Sequence, residues 1–252
     1  MTRKISTFVA LLVVGALIAV APAPAPALTL NDVSVTWFNP LGPGAGTVTN
    51  PFTQGAGDAT NFEVRWGVPS PPSSDPTHQS GLGFDPFFPP PAVVPIGTNF
   101  VLGNLFHFNN PINIGSELTS VDLTLGATFA GAVPAVSDFT FRMLIDETPN
   151  FPASGICAEG GVPPCQDAIR FKSLDVAPHT FTFGGETYTL HLIGFGADGS
   201  QTAFFSPEGT DNSTPLIARI DVARVPNPSA LLLIGIGLVG LAGVSRIRSR
   251  QS

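Results

Sequence analysis

Val121, Leu123 and Leu125 alternate with Asp122 and Thr124, and Phe139, Phe141, Met143 and Ile145 repeat the same two-residue period. Tyr188, Leu190 and Leu192 do so again. An apolar period of two predicts strands with one face buried. Phe181-Thr182-Phe183 and Thr187-Tyr188-Thr189 flank Gly184-Gly185, and a glycine pair permits the tight turn of a hairpin. Further strands are predicted near 31–38, 61–66, 98–108, 168–174, 202–206 and 215–223, and no amphipathic helix interrupts them. About ten short strands punctuated by Gly and Pro predict an all-β fold, a β-sandwich with jelly-roll-like connections. The Pro/Ser-rich stretch 68–95 predicts a surface loop, because proline cannot join a central ladder. An edge segment at 80–85 is the most it is expected to add, with Phe84, Phe87 and Phe88 covering a sheet edge.

The two ends break this pattern. Arg3 and Lys4 precede an uncharged apolar stretch from Phe8 to Val20, then the run Ala21 to Ala27 in which alanine and proline alternate. That is the layout of a secretory signal peptide over 1–27. Cleavage after Ala21, Ala23 or Ala25 would leave proline at the new N-terminus, so signal peptidase is expected to read Ala25 and Ala27 and cut before Leu28. At the other end, Ser229 to Val244 carries no charge and as a helix would be about 24 Å long, against a hydrocarbon core of about 30 Å. Arg246, Arg248 and Arg250 follow. Cationic flanks stay cytoplasmic, so a single transmembrane helix over 229–245 would hold the body on the far side of the membrane. Gly235, Gly237 and Gly240 match the spacing of a dinucleotide-binding loop, but neither a strand before them nor an acidic residue after them supports it.

Val225-Pro226-Asn227-Pro228, the glycine-dotted apolar run and the arginine cluster together resemble a PEP-CTERM sorting signal, with Asn227 where glutamate is usual. The resemblance implies an exosortase as processing partner, a Gram-negative host that secretes exopolysaccharide, and delivery to the cell surface or its matrix. Three segments result: a leader (1–27), a body (28–224) and a sorting signal (225–252).

Charge and cysteine refine the picture of the body. All 18 acidic residues lie between the ends, with 6 basic ones, so the body is strongly anionic and unsuited to nucleic acid. Cys157 and Cys165 enclose a Gly/Pro-rich loop, and in an oxidising exterior a local disulfide is the expected state. Trp66-Gly67, Ser80-Gly81-Leu82-Gly83-Phe84, Phe106-His107-Phe108-Asn109, Glu147-Thr148-Pro149-Asn150, the cysteine pair with Asp167, and Phe205-Ser206-Pro207-Glu208 resemble the choice-of-anchor K domain, or THxN family. Phe106 stands in place of that signature's threonine. The resemblance implies an exported surface domain and no established activity.

Chemistry is sparse. Motifs for a nucleophilic serine, a zinc protease or a phosphate-binding loop are absent, and the body is expected to be non-enzymatic and to need no cofactor. His78, His107, His179 and His191 are far apart in sequence, and His107 is expected to bond nearby backbone where a strand meets a loop. Asp146, Glu147, Asn150 and Asp167 are candidate Ca²⁺ ligands if the disulfide loop folds back on itself. Two functional classes follow. One is a surface protein associated with the exopolysaccharide matrix. The other is a carbohydrate- or Ca²⁺-binding lectin-like module, with Trp37, Trp66 or Tyr188 stacking on sugar. Glycoside chemistry would require two carboxylates converging in one pocket.

Overall fold

The computed structural model describes residues 27–52, 62–86, 92–173 and 179–223. These residues form two curled antiparallel sheets in a β-sandwich-like, all-β arrangement. One sheet has six strands, in the order β12 (Phe204–Ser206), β9 (Asp167–Ser173), β8 (Val136–Asp146), β7 (Ser120–Phe129), β1 (Leu28–Leu41) and β5 (Ala92–Val94). The other has seven: β10 (Thr180–Phe183), β11 (Glu186–Phe195), β13 (Thr210–Ala223), β6 (Asn99–Asn109), β4 (Ser80–Pro86), β3 (Phe62–Trp66) and β2 (Thr49–Phe52). Two short 3-10 turns, Pro43–Thr47 and Pro76–His78, are the helical elements among the described residues. No helix among them is long and apolar enough to cross a membrane.

Alternation along the strands fills the space between the sheets. Phe139, Phe141, Met143 and Ile145 of β8 are buried, as are Val121, Leu123 and Leu125 of β7 and Tyr188 and Leu190 of β11. Phenylalanines do much of the packing: Phe129 stacks on Phe181 at 4.5 Å, and Phe181 stacks on Tyr188 at 5.3 Å. The β10–β11 hairpin turns on Gly184 and Gly185, both at positive φ, as a primed turn requires.

The segment at 80–86 departs from the sequence expectation. It is an interior strand, paired with β3 on one side and β6 on the other, and Phe84 is fully buried in the core. Its glycines explain both its place and why it is hard to read. A Cβ on Gly81 would collide with the Arg65 side chain, and one on Gly83 would press on the Phe108 ring at 3.2 Å. Bare backbone here lets Arg65 pair with Glu63 at 2.8 Å and lie 3.6 Å above the Phe108 ring.

Ala25 and the rest of the leader to residue 26, Phe87 and Phe88, and the tail lie outside the described residues. The tail includes Val225, Pro226, Asn227, Pro228, Arg246, Arg248 and Arg250. Ala27 is exposed, and Leu28 opens β1 as a fully buried residue.

Candidate functional site

At one end of the sandwich both sheets deliver polar side chains to a shared point. From the seven-stranded sheet, β3 ends in Trp66 and β4 begins with Ser80, its register partner. β6 contributes His107 and Asn109, two residues apart and therefore on the same face as Leu105. From the six-stranded sheet, Ser206 of β12 lies opposite Asp167 of β9, and Asp146 of β8 lies opposite Ala168. Glu147, one step beyond β8, is thereby brought beside Asp167.

The chain between β8 and β9 is folded back on itself by the Cys157–Cys165 disulfide. Within that loop the Cys165 amide donates to the Asn150 carbonyl at 3.0 Å, and the Thr148 amide donates to Asp167 Oδ1 at 2.7 Å. Glu147, Asn150 and Asp167 are gathered at this end as a result. Asp146 is not. Alternation turns it to the outer face, where it meets Arg170 at 4.0 Å.

Glu147 is the hub. Its Oε1 accepts from Trp66 Nε1 at 2.9 Å and from Ser80 Oγ at 2.7 Å. His107 is wholly buried, stacked on Trp66 with ring centroids 6.3 Å apart, and neither ring nitrogen has a hydrogen-bond partner. The expected bond from His107 to nearby backbone is therefore not made: the inward face of β6 carries the ring into the interior between the sheets. One donor atom each from His107, Glu147 and Asp167 lie within 4.8 Å of one another. Asn109, also buried, bridges the sheets by donating to the Ser206 carbonyl at 2.9 Å. Of the four signature positions, Phe106 and Phe108 stack on each other on the opposite face of β6.

Burial sets the electrostatics. It pushes Asp167 up to about 9, with the charge of Glu147 adding to the effect. It raises Glu208 to about 7 and raises Glu147 as well, though the Ser80 and Trp66 bonds pull Glu147 back. His107 falls to about 3, chiefly through burial and then through the nearby charge of Arg65. Each arginine among the described residues is paired elsewhere: Arg65 with Glu63, Arg142 with Asp122, Arg170 with Glu159 and Arg219 with Asp221. No arginine among the described residues is thus left to pair with Glu147, Asp167 or Glu208.

Above this floor opens a cleft of about 350 Å³. Its walls include Asn110, Asn113, Glu117, Asn150, Phe151 and Glu208, and Glu147 reaches it from below. Phe151 is 76% exposed. The aromatics expected to stack on sugar do not line the cleft: Trp37, Trp66 and Tyr188 are buried, Trp66 in the floor beneath it. Residues far apart in the chain, from Trp66 to Glu208, meet at this one end. Glu208 and Phe151 stand outside the ligand candidates read from the sequence. Glu208 lies far from them along the chain, and Phe151 follows a proline-containing turn with no periodic pattern to mark it.

No family model matches the chain, and no curated protein matches it. Fold and site together define a two-sheet β protein with an acidic, carboxylate-floored cleft at one end.

Proposed function

We propose that this chain is an exported, non-enzymatic surface protein of a Gram-negative bacterium that binds a polysaccharide of the surrounding matrix in the cleft above Glu147. The cleft carries the reading. Sugar hydroxyls need amide and carboxylate partners in both directions, and Asn113, Asn150, Glu117 and Glu208 provide them. Phe151, exposed at the cleft, offers an apolar face for a pyranose ring. We further propose that the body belongs with the choice-of-anchor K domains, with jelly-roll-like crossings between its sheets. The tail is read as a PEP-CTERM signal with one transmembrane helix, processed by an exosortase. A signal-peptidase cut before Leu28 fits this reading, since a mature chain beginning there keeps all of β1.

Affinity electrophoresis tests the binding. In gels cast with extracellular polysaccharide from the producing cells, the wild-type protein should be retarded. Phe151→Ala and Asn113→Ala should migrate as in plain gels while their circular dichroism is unchanged. Unretarded wild-type protein would sink the proposal. One observation favours a second reading: Glu147 and Glu208 both face the cleft, each with raised proton affinity. Paired carboxylates of this kind serve glycoside hydrolysis. Release of new reducing ends, abolished by Glu208→Gln with binding retained, would select the enzyme over the binding module.

A further inference from the structure

We infer that His107, Glu147 and Asp167 form a binding site for a divalent metal ion of the zinc class, set in the floor beneath the cleft. The site stands on its own geometry and does not depend on what the cleft binds. Three donors of the right kinds lie within 4.8 Å of one another. Zinc holds nitrogen and carboxylate oxygen at about 2.0–2.2 Å, so closure asks each side chain to move inward by roughly 1 Å. His107 is fully buried with both ring nitrogens unpartnered, and the equally buried Asp167 has only the neighbouring Glu147 carboxyl to share a proton with, a place that a cation can take. A buried imidazole ordinarily finds a hydrogen bond, and here a cation is the partner that fits.

The surrounding groups already act as supports for such ligands. Trp66 and Ser80 hold Oε1 of Glu147, the Thr148 amide holds Oδ1 of Asp167, and stacking on Trp66 fixes the plane of the His107 ring. An imidazole among the donors selects zinc or its first-row neighbours over Ca²⁺, which prefers an all-oxygen shell. Two carboxylates neutralise a dication, in a place where every described arginine is occupied elsewhere. Glu147 lines the cleft, which gives an ion an entry path. No metal was read into His107 from the sequence, because its partners lie 40 and 60 positions away along the chain.

The test uses the full chain purified with its disulfide intact, stripped with EDTA, then offered Zn²⁺, Co²⁺, Mn²⁺ or Ca²⁺ and freed of excess ion. Elemental analysis should find one retained zinc per chain, with a raised melting temperature. Co²⁺ should give visible d–d absorption of a low-coordinate nitrogen–oxygen site. His107→Gln and Asp167→Asn should each weaken zinc binding by about 100-fold or more. Glu147→Gln, at the more open position, serves where those variants do not fold. Wild-type protein that retains no ion and melts alike with each would overturn the site and leave a proton-sharing acid pair. Binding of Ca²⁺ alone, unaffected by His107→Gln, would overturn it equally. Polysaccharide retardation is measured separately, so either proposal can fail without the other.

Discussion

Asp146 and Glu147 are neighbours in the chain and meet opposite fates. The pleat sends Asp146 outward to Arg170, whereas Glu147 turns inward beneath Trp66 and Ser80. Burial without an arginine partner then makes the inward carboxylates hold protons, with a consequence for stability. Asp167 titrates near 9 in the folded protein against an ordinary 3.8 when unfolded. A raised carboxyl pKa stabilises the fold at low pH, and the benefit is lost as pH rises toward the folded value. His107, lowered to about 3 from 6.5, has the opposite sign, since its stabilising contribution grows between those values. Above pH 6.5 the histidine contribution is complete, and the raised carboxyls remain, Asp167 furthest, with Glu147 and Glu208 acting in the same direction. In EDTA-treated protein, unfolding free energy should therefore fall by about 1 kcal/mol per pH unit from pH 6.5 toward 9. Asp167→Asn should reduce that slope, leaving the part that Glu147 and Glu208 supply. Urea titrations at several pH values measure it.

The decisive element is the loop between β8 and β9. Its disulfide was readable from the cysteine spacing together with the expectation of an oxidising exterior, and its folding back was the condition set for Glu147, Asn150 and Asp167 to converge. A ring this short limits the unfolded chain by about 2.5 kcal/mol in the loop-entropy account. Replacing Cys157 and Cys165 by serine should cost roughly that much in denaturant titration, with the main sheets retained. Because Asn150 and Phe151 sit in the same loop, polysaccharide retardation should suffer more than stability does. β4 shows where strand-level reading fails. Proline and serine around it argue for an exposed edge, yet its glycines make room for Arg65 and the Phe108 ring, a need that belongs to neighbouring strands.

Among the described residues, β1 begins at Leu28 and β13 ends at Ala223. The acidic body and the arginine-flanked tail lead to a prediction at this scale. Mass spectrometry of the protein recovered from a host with an exosortase should find the C-terminus near Val225 to Pro228. From a host lacking it, the chain should end at Ser252 and remain with the membrane. Intact protein in the medium of both hosts would refute the sorting proposal.

Strand class, hairpin turn, disulfide and the sign of the body's charge were determined by the sequence itself. Each depends on residues close together in the chain, or on counts that ignore order. The meeting of His107 with Glu147 and Asp167, the cross-sheet bond from Asn109 to Ser206, and the interior place of β4 were decided only by tertiary structure. The physical reason is that a two-residue period says which side chains share a face of one strand. Which strands lie side by side, and which ends of two sheets face each other, depends on packing between segments that sequence spacing does not relate.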